Sequence, residues 1–189
     1  MIKAVIFDCF GVLTVDLWKE FVATLPDEQK QAASDINHSY DRGELTEAEF
    51  MQQVEDLTGR RPSEVEDVRN SDGTKNKELI TYIGSLKPDY KIGLLSNIAS
   101  NWIRENLLTE TEQLLFDQMI MSYEVKMTKP DPRIYHLSTE RLGVDIQDCV
   151  FVDDIEHYCE AARQEGMQAV VYQNFEQMKA ELAKILVTA

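Results

Sequence analysis

The sequence predicts an α/β protein, in which a parallel sheet is flanked by helices and a small all-α segment is inserted after the first strand. Residues 4–7 form a short apolar run that ends at an aspartate. From Glu78 onward, apolar runs of strand length alternate with helical patterns, whereas residues 16–75 contain no convincing strand. Strands that alternate with helices indicate parallel pairing through right-handed crossovers, as in a Rossmann-like core.

The first strand is predicted at Ala4–Phe7, which is apolar, partly β-branched and followed too soon by Gly11 to form a helix. Gly11 allows a sharp turn and a close approach of main-chain N–H groups to a ligand. Asp8 therefore lies at the carboxyl end of a buried strand, where open α/β sheets place their chemistry. On this stretch alone, an aspartate that merely caps the turn is an equal alternative.

The stretch that follows is predicted to be helical throughout. Helical patterns begin near Leu17, Asp27, Thr46 and Pro62. Thr46 and Glu49 form the capping-box pattern that opens the third of these helices. Residues 70–75 are polar and include Asp72-Gly73, which indicates a linker. These patterns predict an all-α domain over residues 16–75 and an α/β domain over residues 1–15 and 76–189.

The second half of the chain supplies the rest of the predicted sheet and its helices. Strands are predicted at Ile92–Leu95, Gln118–Met121, Cys149–Val152 and Ala169–Tyr172. Helices are predicted at Glu78–Leu86, Trp102–Leu108, Ile134–Leu142, Tyr158–Glu165 and Phe175–Leu186.

Composition excludes several classes of partner. The formal net charge of −15 opposes binding to nucleic acid and to anionic membranes, because both require a basic surface. No apolar run approaches the length of a membrane span, and the first residues lack the pattern of a signal peptide. Any site for an anion in this acidic chain must supply positive charge locally, from a metal ion, lysine or main-chain N–H groups.

The three cysteines are far apart and lack metal-type spacing, which predicts free thiols and a cytoplasmic location. Cys9 lies beside Asp8 and could be taken for a nucleophile, but we interpret it as a packing residue because small buried hydrophobes are what free cysteines usually are.

Polar residues follow each of the first four predicted strands. They are Asp8, Ser96-Asn97, Lys129 in the loop after Met121, and Asp153-Asp154. In a parallel sheet these strand ends converge on one edge. Three crowded carboxylates repel one another unless a cation lies among them, and hard oxygen ligands suit Mg²⁺. Ser96, Lys129 and the main-chain amides after Asp8 would then hold a phosphate group.

Four segments in this order resemble the motifs of the haloacid dehalogenase (HAD) superfamily: Phe-Asp-Cys-Phe-Gly-Val-Leu, Leu-Leu-Ser-Asn, Lys-Pro-Asp-Pro-Arg-Ile-Tyr and Val-Phe-Val-Asp-Asp. The resemblance covers the whole chain. It implies that the helical insertion is the family's small α-helical cap. The segment Tyr-Asp-Arg-Gly-Glu-Leu-Thr-Glu-Ala-Glu-Phe, residues 40–50, is similar to a stretch in the caps of its small phosphatases.

The resemblance also implies roles for individual residues. It implies that Asp8 is the nucleophile and a metal ligand, and that the Phe10 carbonyl, Asp153 and Asp154 complete the protein's ligands for Mg²⁺. It implies that Ser96 and the Asn97 amide bind the transferring group, while Lys129 neutralises negative charge. A carboxylate nucleophile divides hydrolysis into two easier displacements through an aspartyl-phosphate.

Phe10 departs from the phosphatase pattern, which usually has a second aspartate at this position to protonate the leaving group. General acid–base catalysis typically raises a reaction rate by about a hundredfold to ten-thousandfold. Three interpretations follow. We favour a Mg²⁺-dependent phosphatase whose acid is missing or borrowed from His157, a cap carboxylate or water, since Asp153-Asp154 preserves the metal site. The alternatives are a metal-independent 2-haloacid dehalogenase, which carries an aromatic residue at this position, and a protein that binds a phosphate ligand without turnover.

The expected substrate is a small phosphorylated molecule. No sequence pattern in the insertion indicates whether the substrate is a sugar phosphate, a nucleotide or another small phosphomonoester. The sequence also indicates no particular oligomeric state.

Overall fold

The computed structural model describes residues 1–60 and 75–187, and its sheet contains five strands in the order β3-β2-β1-β4-β5. The strands are β1 (Ala4–Phe7), β2 (Lys91–Ser96), β3 (Gln118–Met121), β4 (Cys149–Asp153) and β5 (Gln168–Val171). All four neighbouring pairs are parallel, and the central strand β1 pairs with β2 on one side and β4 on the other. The predicted α/β fold with a parallel sheet is therefore confirmed.

Helices connect these strands and cover the sheet. They are α1 (Leu17–Ala23), α2 (Asp27–Asp41), α3 (Glu47–Thr58), α4 (Lys77–Leu86), α5 (Glu110–Gln113), α6 (Ser122–Val125), α7 (Pro132–Leu142), α8 (Glu156–Gln164) and α9 (Phe175–Val187). A π-helical turn spans Ile103–Leu107, and a 3₁₀ turn spans Ile146–Asp148.

The sheet is buried on both faces, and the side chains of β1 alternate between two apolar clusters. Val5 and Phe7 pack in a cluster that includes Leu79 and Ile83 of α4 and Leu182 of α9. The intervening residues Ala4 and Ile6 pack on the opposite face, in a cluster that also includes residues of α7 and α8. This two-sided burial explains why the predicted strands are continuous apolar runs instead of alternating patterns.

Helices α1–α3, referred to below as the helical insertion, pack around a third apolar cluster of their own. It contains Phe21, Leu25, Ala33, Phe50 and Val54. Thr46 and Glu49 form the predicted capping box at the start of α3, and Gly59 ends that helix in a left-handed conformation. The fourth predicted helix, Pro62–Val68, and most of the predicted linker lie outside the described residues.

The helix predicted over Trp102–Leu108 is present as a single π-helical turn over residues 103–107, which ends with Leu108 N–H donating to the Ile103 carbonyl. The short helices α5 and α6 were not predicted. α6 follows β3 directly, so no loop residues separate the strand pattern from the helix pattern in the sequence.

All three cysteines are buried free thiols, as predicted. Burial also raises the pKa of Cys9 well above its ordinary value, which keeps the thiol protonated at neutral pH. Within residues 1–60 and 75–187, no helix combines the length and the apolar character that crossing a bilayer requires.

Candidate active site

The parallel topology brings three predicted site residues to one edge of the sheet. Asp8 directly follows β1, Ser96 ends β2 and Asp153 ends β4. β1 is hydrogen-bonded to both of the other strands, and the Asp8 N–H extends this ladder by donating to the Val152 carbonyl at 2.8 Å. The convergence expected from the sequence is therefore present.

Lys129 lies between two of these carboxylates and is 1% exposed. Its Nζ is 2.7 Å from Oδ1 of Asp8 and 2.6 Å from Oδ2 of Asp153. Burial by itself lowers the pKa of Lys129, but the two carboxylates outweigh it, so the pKa lies well above the usual value and the side chain stays charged. One buried ammonium thus bridges the predicted nucleophile and a predicted metal ligand.

Burial and a neighbouring carboxylate both disfavour the charged form of Asp8. The residue is 5% exposed, and burial followed by the neighbouring Asp153 carboxylate raises its pKa well above the ordinary value, against the opposite influence of Lys129. Burial also raises the pKa of Asp153. If both buried carboxylates are ionised beside one ammonium, a net negative charge results, and a further cation at this place would offset it.

Asn97 positions Lys129. Its side-chain amide donates from Nδ2 to the Lys129 carbonyl at 3.1 Å and accepts at Oδ1 from the Lys129 N–H at 2.8 Å. Ser96 is fully buried, and its Oγ has no hydrogen-bond partner among the described residues. A buried hydroxyl without a partner is costly in an apolar core, so this atom is suited to receive a ligand.

Asp154 completes a cluster that could hold a divalent cation. Within the described parts of the chain, carboxylate oxygens of Asp8, Asp153 and Asp154 lie within 4.8 Å of one another. Oδ1 of Asp154 is buried without a hydrogen-bond partner in this same part, while its Oδ2 is 2.5 Å from Nζ of Lys19. An orphaned carboxylate oxygen among hard oxygen donors fits Mg²⁺.

Gly11 makes room for this cluster. Its φ is +84°, and a Cβ atom at this position would lie 2.5 Å from Oδ2 and 2.6 Å from Oδ1 of Asp154. The loop that begins at Cys9 is closed by the Cys9 carbonyl, which accepts from the Leu13 N–H at 2.7 Å. Only a glycine allows the main chain to approach the Asp154 carboxylate this closely.

A cavity of about 340 Å³ opens in front of Asp8 and Lys129 and is lined by both the sheet edge and the helical insertion. Phe10 lies on its wall, with its ring stacked on Trp102 at a centroid distance of 5.9 Å. The insertion contributes aromatic and acidic side chains to the lining: Asp16, Trp18, Tyr40, Asp41 and Glu47. The cavity has the size of a site for a small molecule.

Several residues of the site were not singled out from the sequence. Trp18 and Trp102 line the cavity, although neither was named as a candidate site residue. Lys19 was not singled out, and no local pattern marks it, because its partner Asp154 is 135 residues away. His157, considered as a proton donor, is exposed and lies outside the residues that line the cavity.

The sequence predicts that Asp8, Asp153 and Asp154 repel one another unless a cation lies among them. In the structure each of these carboxylates already faces an ammonium group, from Lys129 or Lys19. Crowding alone therefore does not establish a metal. The structural indications of a metal ion are the orphaned oxygen of Asp154 and the approach of the three carboxylates to within 4.8 Å of one another in the described residues.

Comparison with known proteins identifies the wider group to which this architecture belongs. A family model described as haloacid dehalogenase-like hydrolase matches residues 2–166. The chain is 27% identical to D-ribitol-5-phosphate phosphatase from Bacteroides thetaiotaomicron, over 98% of this chain and 99% of that protein. It is 38% identical to a phosphatase from Mycobacterium tuberculosis over 81 residues, which cover 42% of this chain but 37% of that protein's length.

Solved structures show the same fold. A HAD family enzyme from Bacteroides thetaiotaomicron, crystallised in complex with magnesium and inorganic phosphate, superposes with a TM-score of 0.70 at 26% identity, over 92% of this chain and 95% of the other. Another structure of a HAD family enzyme from this organism gives a TM-score of 0.73 at 24% identity, over 96% of this chain and 98% of the other. The family model spans most of the chain. This chain belongs to the haloacid dehalogenase-like hydrolase family.

Proposed function

We propose that this hydrolase is a Mg²⁺-dependent phosphatase that acts on a small phosphomonoester through an aspartyl-phosphate at Asp8. The observation that carries the proposal is the bridging of Asp8 and Asp153 by the buried ammonium of Lys129, beside the orphaned oxygen of Asp154. This arrangement combines a nucleophile, a fixed positive charge and a cation site on one wall of a small cavity.

The relatives support this proposal. The full-length relative from Bacteroides thetaiotaomicron is named as a phosphatase of a sugar-alcohol phosphate, and a shorter match in Thermotoga maritima, 30% identical over 94 residues, is named as a phosphatase of phosphorylated carbohydrates. A structural neighbour was crystallised with magnesium and phosphate together. Asp8, Asp153, Asp154 and the Phe10 carbonyl would hold Mg²⁺, which supplies positive charge toward the phosphoryl oxygens when bound.

The protein's own groups account for the two displacements. A carboxylate oxygen of Asp8 attacks phosphorus, the ester P–O bond breaks, and the alcohol leaves with a proton. Water then attacks phosphorus of the aspartyl-phosphate, which releases phosphate and restores the Asp8 carboxylate. Lys129 stabilises charge on the phosphoryl oxygens, and Ser96 Oγ with the Asn97 main-chain N–H orients the group.

The proton for the leaving alcohol must come from a residue other than Phe10, whose ring has none to give. Asp41 is the candidate in this proposal, because it is a buried carboxylate that lines the cavity at 8% exposure. Its main-chain carbonyl accepts from Ser122 Oγ at 2.6 Å, which ties the end of α2 to the α/β core. Its Oδ2 accepts from Asn37 Nδ2 at 2.8 Å, which fixes the carboxylate.

The division into two domains remains part of the proposal. Residues 16–75 would form a cap domain and residues 1–15 and 76–189 the α/β core domain. In support, the helical insertion has its own apolar cluster and contributes the outer lining of the cavity. The cap would then decide which phosphomonoester is accepted.

The function is tested by hydrolysis of an activated aryl phosphate with and without Mg²⁺. We expect phosphate release that depends on the metal, that EDTA abolishes and that added Mg²⁺ restores. Release that is unaffected by EDTA would contradict the metal site. No release of phosphate, together with halide release from a 2-haloacid in EDTA, would instead establish the metal-independent dehalogenase.

Phe10→Asp is expected to raise turnover of an alkyl phosphate by about a hundredfold, the lower end of what general acid catalysis supplies. The gain on an activated aryl phosphate should be much smaller, because its leaving group hardly needs a proton. Steady-state kcat for the two substrates measures the difference.

Phe10→Asn is the matched control for this experiment, since it opens the cavity by the same amount without a transferable proton. Equal changes on both substrates, or equal changes in the Asp and Asn variants, would contradict the leaving-group argument. Asp41→Asn tests whether Asp41 supplies the proton to the leaving alcohol. This substitution should lower alkyl phosphate turnover in the wild-type background and should have little effect in the Phe10→Asp background.

A further inference from the structure

A second ammonium group reaches the carboxylate cluster, and it comes from the helical insertion. Lys19 lies in the first turn of α1, and its Nζ is 2.5 Å from Oδ2 of Asp154. The two residues are 135 positions apart in the chain, so the contact joins the insertion to the carboxyl end of β4. The roles proposed above for catalysis make no use of Lys19.

The partners of the carboxylate oxygens of Asp153 and Asp154 show why the contact with Lys19 matters for a metal ion. Oδ1 of Asp153 accepts from the Ile155 N–H at 2.8 Å, and its Oδ2 accepts from Lys129 at 2.6 Å. Asp154 has one oxygen on Lys19, and its other is the buried atom without a partner in the described residues. Asp154 is therefore the member of the pair that has an oxygen without a partner, and Lys19 occupies its other oxygen.

The two partners differ in their freedom to move. The side chain of Asp154 is 10% exposed and is held against Gly11, whereas that of Lys19 is 58% exposed. The main chain of Lys19 is fixed, because its N–H donates to Oδ1 of the N-cap residue Asp16 at 2.9 Å. A flexible four-carbon stem on a fixed backbone allows the ammonium to leave Asp154 for solvent without any change in the helix.

We propose that Lys19 is a counter-ion of Asp154 that competes with the divalent cation and thereby sets the affinity of the site for that cation. The proposal rests on the metal site of the proposed function. A dication and an ammonium on one carboxylate repel each other, so binding of the ion displaces Lys19 into solvent. Because Lys19 belongs to the insertion, occupancy of the metal site also removes one ion pair between the insertion and the sheet edge.

The test is a Mg²⁺ titration of the wild type and Lys19→Met, with binding followed by calorimetry and by tryptophan fluorescence. Both tryptophans of the chain, Trp18 and Trp102, line the cavity and should report the change. Lys19→Met is expected to bind Mg²⁺ about tenfold more tightly, a coupling in the usual range for two ligands that oppose each other. No turnover measurement is needed.

Three further variants separate the specific contact from general charge. Lys30→Met removes the same charge from the surface of α2, where Lys30 pairs with Asp27, and should bind Mg²⁺ as the wild type does. Lys19→Arg keeps the charge and should also keep wild-type affinity, while Lys19→Gln should match Lys19→Met.

The outcomes distinguish this inference from the function on which it rests. Equal Mg²⁺ affinity in the wild type, Lys19→Met and Lys19→Gln would overturn the inference and leave the metal site intact. Weaker binding in Lys19→Met would overturn it as well, since it would make Lys19 a supporting residue instead of a competitor. Absence of Mg²⁺ binding by the wild type would overturn the metal site and the inference together.

Discussion

Asp8→Asn is expected to reduce Mg²⁺-dependent hydrolysis of an aryl phosphate by about ten-thousandfold or more, as removal of a catalytic nucleophile does in other hydrolases. The amide has nearly the same shape as the carboxylate, but it is a poor nucleophile and cannot form the aspartyl-phosphate. Lys129 keeps its contact with Asp153 at 2.6 Å, so the local fold should persist. Initial rates, with circular dichroism as a check on folding, measure the effect.

A second measurement addresses the intermediate itself. Acid quenching during turnover should trap a phosphoryl group on the peptide that contains Asp8 in the wild type, and mass spectrometry of the digest should find none in Asp8→Asn. Cys9→Ala is the matched control, because Cys9 adjoins the nucleophile and is buried as a thiol. A rate loss in Cys9→Ala as large as that in Asp8→Asn would indicate that the nucleophile is Cys9 instead of Asp8. Substantial turnover by Asp8→Asn would contradict a covalent mechanism at Asp8.

The sheet and its edge were predictable from the sequence because their signals are local. β1 and β4 are buried on both faces, so each appears as a continuous apolar run that stops at a carboxylate. Parallel pairing then requires the strand ends to lie on one side, which places Asp8, Ser96 and Asp153 together without any knowledge of long-range contacts. Thr46 of the insertion was equally predictable, since its capping box involves residues three apart.

Contacts between distant residues were not predictable in this way. The ion pair of Lys19 with Asp154 depends on how the helical insertion sits over the sheet edge, and an exposed lysine near the start of a helix carries no sign of it. The lining of the cavity by Trp102 depends on its stacking with Phe10, which lies 92 positions earlier on another element. The two hydrogen bonds between the Asn97 side chain and the main chain of Lys129 were likewise not predicted, since the residues are 32 positions apart.

Lys129→Met is expected to cost both stability and activity, because this ammonium is the shared partner of two buried carboxylates. Removal of one member of a buried ion pair leaves an uncompensated charge and typically costs about 3–5 kcal/mol in the free energy of unfolding. Urea unfolding of wild type and variant in EDTA, where metal cannot replace the lost charge, measures the difference. Lys126→Met removes the same charge from an exposed side chain three residues earlier and should change the stability little.

A double variant separates the structural part of this effect from the chemical part. Asp153→Asn in the Lys129→Met background removes one of the two stranded charges, and we expect it to recover a large part of the lost stability. Hydrolysis should not recover, since Lys129 also opposes the negative charge of the phosphoryl oxygens and no other described residue places an ammonium on Asp8. A Lys129→Met protein as stable as the wild type would show that the carboxylates are protonated in the native state. Recovery of both stability and turnover in the double variant would show that Lys129 serves the fold alone, and that the charge on the substrate is neutralised by another group.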